Sequence, residues 1–396
     1  MIAARRASFN SSFSRDRYAV LQAVIAQRAN VPIEFRLSET PCFFAASLLS
    51  TLVDAAQEMT QQLLTDDAYR AEADAVVPAR FRLANTESLP TFLQVDFGLV
   101  KTGAGFEGRL VELQAFPSLY AFQPTLAEAC MEVFGLEGVT PFLGGLDHED
   151  YVRLMARVLI GPHDPSHVVL MEIDPARQKT RPDFSLTERL WGIRAVDVTD
   201  VVRESTRLFY RRDGRLTPIA RVYNRVIPDE LVRRNIELPF DYRDELDVEW
   251  LGGPDWYFRI SKFSIPFLRH PWVPATHFLH TLDALPADRE NWLLKPLFSF
   301  AGGGIVFAPT DEQIAAIPSA ERDQYILQER VSFTPVIDTP HGLTQAELRI
   351  MFVRDDARYR AVLPLVRMGR GKMMGVDYNK NLEWVGAAAA LIDPAV

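Results

Sequence analysis

The stretch from 167 to 200 constrains the fold most, because its apolar pattern predicts two strands with one helix between them. It consists of HVVLMEID, then DFSLTERLWG, then IRAVDVTD. A strand, a helix and a second strand in this order form neighbours in a parallel sheet with a right-handed crossover. Two more short runs, RLFYRRDG and IARVYNRV, predict further strands. We therefore predict a small parallel α/β layer over residues 151–255.

The segments on either side have other periodicities. Residues 41–75 carry apolar side chains at intervals of three and four, which indicates helix. Residues 91–114 form two alternating runs around a glycine-containing turn, which predicts a hairpin. Several apolar runs after residue 291 predict strands. The predicted segments are a helical region at 1–85, a hairpin-bearing segment at 86–150, the α/β layer at 151–255 and a strand-rich segment at 256–396.

Composition excludes several classes of protein. The chain has 396 residues, more than one hydrophobic core usually supports, so we expect several packed units. Its net charge of -9 argues against a nucleic-acid partner, because phosphate backbones require a basic surface. Two cysteines, Cys42 and Cys130, are too few for a disulfide framework. No signal peptide and no apolar run of ~20 residues is visible, so we expect a cytoplasmic protein with small-molecule partners and no membrane partner.

The stretch WLLKPLFSFAGGGIVF places a lysine, Lys295, at the end of an apolar strand and three glycines before the next one. One interpretation is a strand-end lysine that reaches solvent, followed by an ordinary turn. The other is a phosphate site, because glycine backbone N–H groups can approach phosphate oxygens closely and a lysine adds positive charge. The order of residues fits neither a P-loop nor a dinucleotide-binding motif.

The surrounding motifs extend the second interpretation. Lys262 opens the run KFSIPFLR, and Gln328 and Glu329 end the strand YILQE. The order of these parts resembles the ATP-grasp family, in which ATP lies between two α+β subdomains. The resemblance implies an α/β (α+β) fold in which the α/β layer is the pre-ATP-grasp domain and the C-terminal strands form a nucleotide lid. It also implies nucleotide contacts, from Lys262 and Lys295 to phosphates, from Gly302, Gly303 and Gly304 closing over them, and from Gln328 and Glu329 beside adenine and ribose.

The strand ELRIMFV looks like the E-x-R strand of that family, which implies that Glu347 and Arg349 face the active site. A guanidinium can bind a phosphate or a substrate carboxylate through two parallel hydrogen bonds. The alternative for this pair is an exposed Glu-Arg pair on a strand surface.

Three side chains of the predicted hairpin are candidate metal ligands. Asp96 lies in QVDFGLV, while Glu112 and Gln114 lie in RLVELQAFPS, and strand alternation places the last two on one face. This order resembles circularly permuted ATP-grasp proteins and the synthetase part of glutathionylspermidine synthase, with Gln114 in place of asparagine. The resemblance implies Mg²⁺ at these residues. The alternatives are a solvated Glu112 and a hydrogen-bonded Asp96.

The resemblance implies an ATP-dependent carboxylate-amine ligase that forms an acyl phosphate from a small amino acid, peptide or polyamine type substrate. Arg349 and Lys295 would act on the phosphates, and Arg225 in VYNRV would bind substrate. Arg367 and Arg370 are either further anion ligands or surface residues. Two alternatives stay open: a catalytically degenerate nucleotide-binding protein or partner subunit, and a phosphate- or sugar-binding protein that does not use ATP. The oligomeric state and the two substrates are not predicted.

Overall fold

The computed structural model describes residues 2–103, 105–299 and 302–396, and in these ranges the chain forms a mixed α/β structure. The helices are α1 (Ala3–Ser12), α2 (Arg15–Ala29), α3 (Ala46–Thr65), α4 (Asp67–Ala75), α5 (Phe122–Phe134), α6 (His148–Ile160), α7 (Arg181–Trp191), α8 (Pro228–Arg233), α9 (Trp256–Arg259) and α10 (Asp311–Ala315). None of these helices has the length and apolar character needed to cross a membrane.

The strands lie singly or in groups between these helices along the chain. They are β1 (Cys42–Ala45), β2 (Phe92–Thr102), β3 (Gly105–Gln114), β4 (Val168–Glu172), β5 (Arg194–Asp197), β6 (Val202–Glu204), β7 (Arg207–Arg212), β8 (Arg215–Ile219), β9 (Arg221–Asn224), β10 (Glu249–Leu251), β11 (Thr276–Phe278), β12 (Trp292–Pro296), β13 (Val306–Phe307), β14 (Tyr325–Glu329), β15 (Gln345–Asp355), β16 (Arg358–Gly369), β17 (Gly386–Ala388) and β18 (Ala390–Asp393).

The predicted helical segment at 41–75 begins with a strand. Residues of β1 pair in parallel with β18, and Phe43 lies opposite Leu391. This pairing joins positions more than three hundred residues apart, so local periodicity does not show it. Helices α3 and α4 follow as predicted, and Asp66 begins α4 by accepting hydrogen bonds from the backbone N–H groups of Ala68 and Tyr69.

The largest sheet has five antiparallel strands in the order β17-β16-β15-β2-β3. The predicted hairpin is confirmed as β2 and β3, with a bulge at Asp96 and Phe97. One face of the sheet presents Leu348 and Ile350 to helix α3, where Leu52 and other apolar side chains form a core. Strand alternation therefore directs the neighbouring side chains of β15 to the opposite face.

The parallel α/β layer is confirmed, with strands in the order β10-β9-β4-β5 and helix α7 connecting β4 to β5. The two runs that follow differ in detail from the prediction. RLFYRRDG gives β7 of a separate antiparallel sheet, β6-β7-β8, and IARVYNRV divides at Ala220 into β8 and β9. Only β9 joins the parallel layer.

Three of the strands predicted at the C-terminal side, β12, β13 and β14, join the unpredicted β11 in a four-stranded antiparallel sheet in the order β11-β14-β12-β13, which we call the lid sheet. The other two, β15 and β16, belong to the five-stranded sheet. The run KFSIPF from Lys262 is a 3₁₀ helix that begins with a capping box between Ser261 and Ser264. Helix α3, the five-stranded sheet and this segment share one apolar core, since Leu52, Phe97 and Phe263 belong to the same cluster. The 3₁₀ helix is therefore held against the five-stranded sheet.

Candidate functional site

A cavity of about 550 Å³ lies between the lid sheet and the five-stranded sheet. Much of its lining comes from β3, β12, β14, β15, β16 and the segment 371–378 that follows β16, and the rest from loops and helix ends around them. Cavities of 300 to 1,000 Å³, roughly, are the usual size for small-molecule and cofactor sites. The packing of the two sheets thus produces a space large enough for an organic ligand.

The described lining of this cavity is basic, although the whole chain is acidic. Seven Lys or Arg side chains contribute to the lining against three carboxylates, whereas the chain has a net charge of -9. The basic residues are Lys179, Lys262, Lys295, Arg330, Arg349, Arg367 and Lys372, and the acidic ones are Glu112, Glu347 and Asp377. A cavity of this charge favours an anionic ligand.

Two lysines from different elements meet in the cavity. Lys295, at the end of β12, is 4% exposed and its Nζ donates to the carbonyl oxygen of Val111 at 3.3 Å. Lys262 is 7% exposed and its Nζ donates to the carbonyl oxygen of Ser299 at 2.8 Å. Neither ammonium forms a salt bridge with any residue in the described ranges. Burying a cation without an anion is unfavourable, so both positions suit a bound anion.

Burial also changes how these lysines titrate. Burial is the main cause that lowers the pKa of Lys295, to about 8. The negative charge of Glu112 acts to raise this pKa, and the positive charge of the neighbouring Lys262 acts to lower it. The pKa of Lys262 is likewise lowered by burial, against the opposing effect of Glu112. A lysine that is charged only below about pH 8 makes the charge of the cavity sensitive to pH near neutrality.

On the sheet opposite these lysines, two arginines surround a buried carboxylate. Arg349 donates from Nε and Nη2 to the two oxygens of Asp96 at 2.5 and 2.7 Å, and from Nη1 to Gln94 Oε1 at 2.7 Å. Arg367 Nη2 donates to Asp96 Oδ2 at 2.6 Å and lies 2.5 Å from Glu347 Oε1. Burial acts to raise the pKa of Asp96, but the two guanidinium groups outweigh it and hold that pKa below its ordinary value.

Glu347 titrates differently from Asp96. Burial raises its pKa to about 7, and the lowering effect of Arg367 is opposed by the negative charges of Asp96 and Glu112. A carboxyl group with a pKa near neutrality can hold or release a proton under physiological conditions. Glu347 is therefore a candidate acid-base group of the cavity.

The three predicted metal ligands do not have equal access to the cavity. Glu112 and Gln114 line it, whereas Asp96 is 1% exposed and both of its oxygens accept from arginine. Across the described residues, no three His, Cys, Asp or Glu side chains are arranged to hold a metal ion. Glu112 and Gln114 fit Mg²⁺ of the kind that takes one or two protein ligands and completes its shell with phosphates and water.

The glycine turn contributes mainly its first residue. Gly302 lines the cavity with φ +75°, and a Cβ at this position would lie 2.5 Å from Met373 Cε. Gly303 and Gly304 are not among the lining residues, and Gly304 packs on Pro296, whose Cγ would lie 2.7 Å from an added Cβ. Residues 300 and 301, which precede Gly302 in the sequence, lie outside the described ranges. Absence of a side chain at Gly302 allows close approach of the turn to segment 371–378.

The strand β14 brings one of its two predicted residues to the cavity. Gln328 is 1% exposed and lines the cavity, and its Nε2 has no hydrogen-bond partner in the described part of the chain. Glu329 is exposed, does not line the cavity and accepts from the backbone N–H of Ala275 at 3.4 Å. A buried unpaired amide suits a hydrogen-bond acceptor on a ligand.

Arg225 does not reach this cavity. It is buried against the rings of Phe116 and Phe184, and its Nη1 donates to the carbonyl oxygen of Pro117. In this position it also lies near the carboxylates of Glu172 and Asp183; burial raises the pKa values of both, to about 8 for Glu172, and the positive charge of Arg225 opposes that rise. The arginine predicted to bind substrate thus supports the loop after β3 instead of lining the cavity.

Several lining residues were not predicted from the sequence. Segment 371–378 and Lys179 close one side of the cavity. Gln94, also not predicted, is buried behind the lining, where its Oε1 accepts from Arg349 and Gln114. Strand alternation two residues before Asp96 is the signal that would have identified Gln94. No local signal identifies Lys179, which reaches the cavity from the loop between β4 and α7 and pairs with Asp377 at 2.7 Å.

Comparison with known proteins adds a likeness of fold. No family model matches the chain, and no curated protein does. One solved structure that matches the chain is the apo form of a glutathione synthetase like-effector (GSS30) from Globodera pallida. The match covers 95% of this chain and 96% of that one, with a TM-score of 0.56 and 12% identity. The chain is similar in fold to this glutathione synthetase-like effector. At this identity the likeness concerns the fold alone.

Proposed function

We propose that the protein binds ATP in the 550 Å³ cavity and is a carboxylate-amine ligase of circularly permuted ATP-grasp type. One observation carries the proposal: Lys262 and Lys295 are buried in one basic cavity without a carboxylate partner. Polyphosphate supplies the negative charge that these two groups lack. The fold likeness to a glutathione synthetase-like protein agrees with this class of ligase.

The proposed orientation follows from the lining. The phosphates lie between the two lysines and Arg349, with Gly302 at the rim. The base lies at β14, where the unpaired amide of Gln328 donates to a ring nitrogen or other acceptor. Glu112 and Gln114 would hold Mg²⁺ on the phosphates, where the ion would neutralise charge.

The proposed reaction has two steps. One carboxylate oxygen of the acid forms a bond to the γ-phosphorus, while the bond to the bridging oxygen breaks and ADP leaves with that electron pair. The amine nitrogen then attacks the acyl carbon, phosphate leaves, and the nitrogen loses a proton. Lys295, Lys262 and Arg349 stabilise the charge that accumulates on the phosphoryl oxygens. Glu347, with a pKa of about 7, is suited to accept the proton.

A specific observation favours a second candidate, a nucleotide-binding protein without ligase turnover. Both oxygens of Asp96 are held by Arg349 and Arg367, and this arrangement removes one of the three proposed metal ligands. Gln114 is also longer by one methylene than the asparagine of the resembling family. Such a site would still bind the phosphates but would hold the ion less firmly.

Titration calorimetry with a non-hydrolysable ATP analogue and Mg²⁺ tests the common part of both candidates. We expect binding that weakens at least tenfold in Lys295→Met and stays within twofold in Lys101→Met, which changes an exposed lysine outside the cavity. ADP release and acyl-phosphate trapping with hydroxylamine then separate the candidates. Binding without either product favours the protein without turnover, and the absence of nucleotide binding overturns both.

A further inference from the structure

Apolar side chains also line the cavity, and we call the part that they line, beside the Lys179–Asp377 pair, the apolar half. Six side chains share this half, and all of them belong to the cavity lining: Phe35, Leu119, Phe122, Leu365, Met374 and Val376. The proposed phosphate contacts do not use any of them. Apolar lining at this density favours a ligand group that is itself apolar.

Strand register places this apolar half away from the lysines. On the five-stranded sheet, Glu112 lies opposite Asp96, Asp96 opposite Arg349, and Arg349 opposite Leu365. Lys295 lies at the β3 edge, where its Nζ donates to Val111. Across the sheet from β3 to β16, the side chains that face the cavity therefore lie first near the lysines, then at the arginines, and last at Leu365.

The far edge of the sheet is where the aromatic residues lie. Ala387 of β17 pairs with Arg367, and the backbone N–H of Ala387 donates to the carbonyl oxygen of Arg36. This contact positions the adjacent Phe35, whose ring lies 5.2 Å from that of Phe122 in a T-shaped arrangement. The aromatic pair and Leu365 thus form one apolar surface next to Arg367.

Arg367 lies at the boundary between the two halves and retains an unused donor. Its Nη2 contacts Asp96 and Glu347, but its buried Nε has no hydrogen-bond partner in the described part of the chain. The Nε itself is fully buried, but the Arg367 side chain is 24% exposed and lines the cavity, so another part of the guanidinium can meet a ligand. A carboxylate there adds a charge opposite to that of the guanidinium.

The apolar half offers nothing that would bind a chain of amines. Its one carboxylate is Asp377, and Lys179 donates to both oxygens of that side chain at 2.9 and 2.7 Å. A polyamine would enter a cavity that already contains seven basic side chains and would meet no free acid in this half. Repulsion and desolvation both act against a polycation here.

We propose that the acid substrate is a monocarboxylic acid with an aliphatic or aromatic body. Its carboxylate meets Arg367 and faces the γ-phosphate, and its body lies against Phe35, Phe122 and Leu365. This assignment of substrate class rests on the proposed ligase function, in which the acid attacks the γ-phosphorus beside Arg349. It narrows the acid substrate from amino acids and peptides in general to apolar acids.

Binding of defined acids to the full chain tests the assignment, measured both with and without the ATP analogue and Mg²⁺. The probes are 3-phenylpropionate and hexanoate as apolar acids, glutarate as a polar acid of similar length, and spermidine as a polyamine. We expect the apolar acids to bind at least tenfold tighter than glutarate and spermidine to give no binding. Measurement without nucleotide keeps this result independent of whether ATP binds.

Two variants locate the binding. Phe35→Ala should weaken 3-phenylpropionate at least fivefold and leave the ATP analogue within twofold, because Phe35 lies in the apolar half. Phe209→Ala is the matched control, since Phe209 is a half-buried phenylalanine on β7 outside the cavity. Tighter binding of glutarate or spermidine than of the apolar acids, or unchanged affinity in Phe35→Ala, overturns the assignment. Loss of nucleotide binding with apolar-acid binding intact instead overturns the proposed function.

Discussion

At the scale of single residues, Lys295 links burial to ligand binding. Lys295 is 4% exposed and its ammonium contacts one backbone carbonyl oxygen, so the charged form is costly until an anion binds. The sequence shows the same lysine at the end of an apolar strand. That position is equally compatible with a side chain that reaches solvent and with one that binds a phosphate. Only the packing of β12 against Val111 decides between the two, because it places the ammonium inside a cavity.

Nucleotide affinity should therefore depend on pH through Lys295. The pKa of the free protein's Lys295 is about 8, so the ammonium is charged below pH 8 and loses its proton above it. We expect affinity for the ATP analogue to be highest below pH 8 and to fall, by about tenfold or more, as pH rises toward 10. Calorimetry across this range measures it. In Lys295→Met the affinity should be low throughout, and an equally steep pH dependence in that variant would contradict the assignment.

Glu347 should affect the free energy of unfolding between about pH 4.5 and 7, below the pH at which Lys295 loses its proton. The pKa of Glu347 rises from 4.5 to about 7 on folding, so the folded protein binds its proton more tightly than the unfolded chain does. Its contribution to stability is present below pH 4.5 and is lost as pH rises to about 7. In the wild type the free energy of unfolding should fall by about 1–3 kcal/mol between pH 5 and 8 because of this group, and in Glu347→Gln this fall should be absent. Glu329→Gln, at an exposed carboxylate, should retain the wild-type profile.

At the scale of elements, a glycine in the β2-β3 hairpin allows a side chain of the cavity lining to pack directly on strand β2. A Cβ at Gly98 would lie 1.9 Å from Phe333 Cε1, and Phe333 is one of the lining residues. The absence of a side chain on β2 thus allows an aromatic ring to cover the strand. The sequence shows the glycine in QVDFGLV but does not show its partner, which is more than two hundred positions away.

Gly98→Ala should move Phe333 and disturb the cavity. We expect a loss of about 1–3 kcal/mol in unfolding free energy, because the ring must shift within a packed surface. Affinity for the ATP analogue should fall as well. The control is Gly103→Ala on the same hairpin, where an added Cβ meets nothing within 4 Å. Equal stability and affinity in both variants would show that Phe333 does not depend on Gly98.

At the scale of the whole molecule, the helices near the start of the chain share cores with later strands. Leu52 of α3 lies in one apolar cluster with Phe97 of β2, Ile350 of β15 and Ile326 of β14. Phe9 of α1 lies in another cluster with residues of β15 and β16. Because of these shared cores, we expect the segment 1–85, which the sequence predicts to be helical, to unfold together with the sheets.

Leu52→Ala tests this coupling, because Leu52 is fully buried between α3 and the five-stranded sheet. We expect a loss of about 2–5 kcal/mol and a single unfolding transition at a lower temperature. Tryptophan fluorescence and far-ultraviolet ellipticity should report the same midpoint. Val20→Ala, at a 51% exposed position on α2, should leave it nearly unchanged. Separate transitions for the two signals would indicate that the helices unfold independently.

The sequence identified many of the elements, because helix and strand periodicities and glycine turns act over a few residues. It identified the parallel layer, the β2-β3 hairpin, three of the four lid strands and the lysines that the structure brings to one cavity, but not β1 or β11. Tertiary structure alone decided that Asp96 binds Arg349, that Arg225 supports a loop, and that an apolar surface adjoins the arginines. Each of these depends on which strands are neighbours and in what register, and the 253 positions between Asp96 and Arg349 leave no local trace of their pairing.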